Sequence, residues 1–222
     1  MGAAVTAISR WFGKSSNPNE NRTPAPAATA PKQLRRSNGL LEFTNTIKTP
    51  GLSILDLGPT SPANITYLTG LGHKVYNEDV LSESAMPELH TKDEDGKPRF
   101  NLDTYLKYNL LYQPQSVDAV LGWTVLDFLP EPLVKPFVER LMTALRPGGI
   151  VLAFFHDKDE GPNTPYHRYQ ICDTNTLELR VGKPFRIQRI FNTRHVENLF
   201  QGSRACKFFL GQDNLREVLV KR

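Results

Sequence analysis

Two stretches decide the fold: Val117-Asp-Ala-Val-Leu-Gly-Trp123 and Leu145-Arg-Pro-Gly-Gly149-Ile-Val-Leu-Ala-Phe-Phe155. The first is a near-continuous apolar run, the pattern of a strand buried on both faces. Between the two, Leu133, Val134, Phe137, Val138, Leu141 and Leu145 recur at helical spacing and predict an amphipathic helix over 131–145. Pro136 lies inside that stretch and argues for a start near residues 132–134. Pro147-Gly148-Gly149 stops the helix and turns the chain into a second buried strand, Ile150–Phe155. Buried strands separated by a helix imply a parallel sheet.

Toward the N-terminus, Leu52-Ser-Ile-Leu-Asp-Leu57 reads as another short strand, stopped by Gly58-Pro59. Pro62 suits a first helical turn, so a helix is expected over 62–69, ended by Gly70 and Gly72. His73–Asn77 reads as a strand closed by Glu78-Asp79, and Arg99–Leu102 as a short third strand after a polar loop. Toward the C-terminus, 169–180 and 185–191 look extended. Asn192 caps a helix over 193–200. Lys207–Leu210 and Leu215–Val220 flank Gly211-Gln-Asp-Asn214, which predicts a terminal β-hairpin. The fold class expected is α/β, a Rossmann-like, mostly parallel central sheet with a C-terminal antiparallel hairpin.

The 222 residues suffice for one domain plus extras. Residues 1–36 hold six basic side chains against Glu20 alone, net +5, while the remainder of the chain is net −1. A body so nearly neutral carries no electrostatic footprint for nucleic acid. Residues 15–36, rich in Pro, Ala, Asn, Ser and Thr, offer too little apolar surface to offset ordering. Residues 1–36 are thus expected to be a disordered basic tail, and 37–222 the domain. Val5, Ile8 and Phe12 would form one apolar stripe if the first residues became helical, for weak contact with a membrane surface or a protein partner. The scarcity of acid also suits a transit peptide, Met1-Gly2-x-x-x-Thr6 matches a myristoylation pattern, and a solvated terminus accounts for the segment equally. No apolar run is long enough for a transmembrane helix and no secretory core is present, so a cytoplasmic location is expected. Cys172 and Cys206 lack metal or disulfide spacing and are expected as buried thiols; no metal site is expected.

A strand ending at Asp56-Leu57-Gly58, a helix, and a second strand followed by Asp79 suggest a nucleoside site. Glycine lets backbone approach a ligand, and a carboxylate at the second strand tip accepts ribose hydroxyls. With Val117-Asp118-Ala119-Val120, the Leu145–Gly149 phrase and the terminal hairpin, residues 38–222 resemble the class I S-adenosylmethionine-dependent methyltransferases. The resemblance implies S-adenosylmethionine as cofactor. It implies that Asp56, Gly58, Thr60 and Ser61 face its methionine end and that Asp79 binds its ribose. It further implies that Asp103 lies at the adenine edge and that Trp123 follows the fourth strand beneath the sulfonium.

The sequence departs from that family in its first motif. Asp56-Leu-Gly58-Pro59-Thr60-Ser61-Pro62 keeps one glycine where the family has several, so the loop is stiffer and offers fewer backbone amides. Thr60 and Ser61 hydroxyls would then replace backbone donors. The alternative is a catalytically inactive methyltransferase fold serving as a binding or scaffold module. Asp56 reads equally as a loop-orienting residue, and Trp123 equally as core. Asp127 and His156, after the fourth and fifth strands, are the candidates for proton transfer or substrate contact, against a cap or loop role. The acceptor expected is a small molecule or a protein side chain. A dinucleotide oxidoreductase is disfavoured because Gly-x-Gly-x-x-Gly is missing.

Overall fold

The computed structural model describes residues 33–211 and 213–222; the readings made on the tail before Gln33 lie outside them. The elements run β1 (Gln33–Arg36), α1 (Asn38–Thr46), β2 (Ser53–Asp56), α2 (Pro62–Gly70), β3 (Lys74–Asn77) and α3 (Val80–Ser84). There follow β4 (His90–Lys92), β5 (Pro98–Phe100), α4 (Leu102–Tyr108), β6 (Val117–Trp123), α5 (Val125–Phe128), α6 (Glu131–Ala144) and β7 (Leu145–His156). The last part holds β8 (Thr164–Pro165), β9 (Arg168–Ile171), β10 (Thr176–Arg180), β11 (Pro184–Phe185), α7 (Thr193–Leu199), β12 (Ala205–Leu210) and β13 (Leu215–Lys221).

The central sheet has the order β12-β13-β7-β6-β2-β3. β3, β2, β6 and β7 are mutually parallel, and β13 inserts antiparallel between β7 and β12. The α/β expectation and the terminal hairpin therefore hold. α6 begins at Glu131 with Pro132 in its first turn, and Pro136 sits within it. Asn192 caps α7 through the His195 amide.

Three expectations are corrected. Residues 98–100 form a strand, but it pairs with β4 in a separate hairpin and never joins the central sheet. The 90–100 segment is largely exposed, with only Phe100 turned to the core, and the central sheet ends at β3. The disordered segment expected through residue 36 gives way to order at Gln33–Arg36, which pairs antiparallel with β10. Its anchor is Arg35, whose guanidinium binds Asp213 at 2.6 Å and also Glu217. The buried Glu217 carboxylate accepts further from the Ser37 hydroxyl at 2.9 Å and the Gly39 amide at 2.5 Å. The two thiols are free, with Cys172 exposed and Cys206 half-buried.

Both faces of the central sheet are covered. On one, α1, α2 and the three-stranded sheet β1-β10-β9 pack Leu40, Phe43, Leu68, Tyr169 and Leu177 against Ile54, Leu121 and Leu152. On the other, α6 buries the expected stripe, Leu133, Val134, Phe137, Val138 and Leu141. Each such side chain contributes about 1.5–3 kcal/mol on burial.

Candidate functional site

The four parallel strands bring their carboxyl ends to one edge, where open α/β sheets bind ligands. Asp56 ends β2 there and is 2% exposed. One carboxylate oxygen accepts from the Trp123 indole N–H at 2.6 Å and the Gly58 amide at 3.2 Å; the other accepts from the Asn64 side chain at 2.9 Å. Burial pushes its pKa upward, and these three donors oppose that rise. Ser61 caps α2 at the Asn64 amide, 3.4 Å away. Thr60 donates to the Asn77 side-chain oxygen at 2.5 Å. Asn77 in turn donates to the Asp56 and Gly58 carbonyls at 3.0 and 2.9 Å. The loop is held by its own side chains, and its hydroxyls are spent on the protein.

Trp123 closes the loop from above. Its φ of 44° lies in the left-handed region that bulky residues avoid, a cost on the order of 1–3 kcal/mol. The indole stacks on Tyr169 with centroids 5.2 Å apart and an interplanar angle of 8°. A Cβ on Gly58 would stand 2.9 Å from the Trp123 ring, so glycine is needed here for close approach of the indole. Asn64 ties β9 to the same place, donating to the Tyr169 carbonyl and accepting from the Ile171 amide.

Asp79 follows β3 and caps α3. One oxygen accepts from the Ser82 amide at 3.2 Å, the other from the Ser82 hydroxyl at 2.8 Å. The residue is partly exposed. Its neighbour Glu78 turns the other way, accepting from the Leu110 amide at 3.1 Å and from the Tyr112 hydroxyl. Asp103 is exposed in the first turn of α4; without a third sheet strand before it, the sheet does not position it.

Asp127 and His156 form a buried pair. Asp127 Oδ2 accepts from the His156 amide at 2.7 Å and lies 2.8 Å from the ring Nδ1. Burial pushes the Asp127 pKa up to about 6, against the pull of the bonds from His156. Its other oxygen is sealed without a partner among the described residues, as is the Tyr166 hydroxyl. Phe128 bridges the two, edge-on to His156 at 5.6 Å and to Tyr166 at 5.3 Å. Among the described residues no cluster of three or more metal-type side chains occurs, and no helix is long and apolar enough to cross a membrane.

The strand order, with its single antiparallel strand placed between β7 and β12, decides the architecture. It is the class I methyltransferase fold. Several solved structures are similar to it. A methyltransferase from Methanosarcina mazei is 16% identical over 82% of this chain and 96% of its own, with a TM-score of 0.49. One from Aquifex aeolicus is 14% identical, over 83% and 89%, at 0.48. The 1,6-didemethyltoxoflavin-N1-methyltransferase of Burkholderia thailandensis, solved with bound 1,6-didemethyltoxoflavin and S-adenosylhomocysteine, is 12% identical, over 83% and 77%, at 0.47. No family model and no curated protein matches the chain.

The residues suit the two ends of S-adenosylmethionine differently. Asp79 keeps acceptor capacity on both oxygens, since an ionised carboxylate has about four lone-pair sites. It fits a ribose. In the loop after β2 the Asp56 carboxylate is already satisfied and Gly58 lies against the Trp123 ring. Asn64, Asn77 and Tyr169, the residues that build this seat, escape sequence reasoning: polar side chains in helix and strand carry no periodic signal.

Proposed function

We propose that the chain is an S-adenosylmethionine-dependent methyltransferase acting on a small molecule or a protein side chain. The observation that carries the reading is the placement of Asp56 at the end of β2 and of the partly exposed Asp79 two residues beyond the end of the adjacent parallel strand β3. Asp79 would hold the ribose, and Gly58, Thr60 and Ser61 would face the methionine end once Trp123 swings away. Bound there, the cofactor supplies an electrophilic methyl group. Such a reaction demands mainly that acceptor and donor be held together. Asp127 holds His156 by Nδ1, which leaves Nε2 as the ring nitrogen for an acceptor proton when Asp127 is ionised.

One observation favours a second reading, a binding module with a closed seat: the Trp123 indole supplies Asp56 with a donor and covers Gly58. Calorimetric titration with S-adenosylmethionine and S-adenosylhomocysteine separates the two. Micromolar binding that disappears in Asp79→Ala supports the enzyme. Absence of binding at millimolar ligand, with the protein folded, supports the module.

A further inference from the structure

Beside the Pro59 loop lies a cavity of about 190 Å³. Its apolar walls are Pro59, Tyr166, Val181 and Phe185, and Ser82, the partner of Asp79, also lines it. Three cations stand around it: Arg168, Arg180 and Lys183. Arg168 and Arg180 are directly opposed in the β9–β10 ladder. Like charges facing each other across strands destabilise a sheet. Glu178 compensates Arg180, with 2.6 Å between Arg180 Nε and its carboxylate. Arg168 and Lys183 form no ion pair among the described residues. Tyr166, 3% exposed, adds a buried hydroxyl without a partner among them, and burial keeps that phenol protonated as a donor.

We propose that this cavity binds a small carboxylate carried on an apolar body. Arg168 and Lys183 supply the counter-charge, Tyr166 and Phe185 the apolar walls. The volume is below the roughly 300–1,000 Å³ of drug-sized sites, so the ligand is small. With Pro59 and Ser82 in its lining, the cavity adjoins the proposed cofactor edge; the carboxylate would there anchor a methyl acceptor. That last role rests on the methyltransferase reading, whereas the anion preference does not.

The test is calorimetric titration of the full chain with benzoate, alongside benzamide, benzylamine and inorganic phosphate, without cofactor. The expected result is binding of benzoate above the other three. It should weaken about tenfold or more in Arg168→Gln and in Lys183→Gln, a loss of one charge-assisted contact. Arg168→Gln should leave the melting temperature unchanged or raised, because it relieves the facing pair. The proposal is overturned if benzoate gives no signal at tens of millimolar with folded protein. It is equally overturned if benzamide or phosphate binds as tightly, if both variants bind benzoate as wild type does, or if Arg168→Gln lowers the melting temperature. Benzoate binding without S-adenosylmethionine binding would keep the cavity and remove the methyltransferase reading; the reverse would do the opposite.

Discussion

The two ends of the candidate site differ in how their polar groups are met. At the loop end, Asp56 is buried and accepts three hydrogen bonds, and every loop hydroxyl has a protein partner. By contrast, Asp127 Oδ1, the Tyr166 and Tyr105 hydroxyls and Glu83 Oε2 are sealed with no partner among the described residues. Buried polar atoms are ordinarily paired, because leaving one unpaired costs about 1–3 kcal/mol. A saturated carboxylate holds the fold together. The chain thus spends its first motif on structure.

The largest effect should come from Asp56→Ala. It strands the Trp123, Asn64 and Gly58 donors together, for a loss of about 3–5 kcal/mol by chemical denaturation. A loss below about 1 kcal/mol would show that the loop end is not saturated. Gly58→Ala presses a methyl onto the indole and should cost about 1–3 kcal/mol, largely recovered when Trp123→Ala removes the ring.

Glu83 sharpens the contrast from the other side. Burial, with Glu78 and Asp79 nearby, pushes its pKa from 4.5 to about 7. A raised carboxyl pKa means the folded state holds the proton more tightly, so this contribution to stability is full below about pH 4.5 and is lost as pH rises through about 7. Glu83→Gln should remove that decline and gain about 1–3 kcal/mol at pH 8, read from denaturation midpoints across pH. An unchanged pH profile would contradict it. Asp79→Ala should have the smallest effect on stability, under about 1 kcal/mol for a helix cap, yet the largest on cofactor binding.

Much of the central sheet was legible because apolar runs and their turn residues coincide with its strands: Val117–Trp123, Ile150–Phe155 and the terminal hairpin were all readable. β1 was not, because its buried member is Arg35, a charge at a core-facing position stabilised by Asp213 and Glu217 far along the chain. Asp103 follows a segment that folds on itself as a separate hairpin, which no local pattern announces. Trp123 reads from sequence equally as core or cofactor contact; its bond to Asp56 depends on a left-handed backbone that no local pattern announces. Asp127 and His156 were each visible as candidates, but their pairing across 29 residues was not.

The most direct test follows Trp123 itself. With Trp11→Phe leaving one tryptophan, S-adenosylhomocysteine should change the Trp123 emission saturably as the indole leaves Asp56 and Gly58, and Asp79→Ala should abolish the change. Emission unaltered at millimolar ligand, with the protein folded, would contradict a cofactor seat gated by Trp123 and leave the fold as a closed binding module.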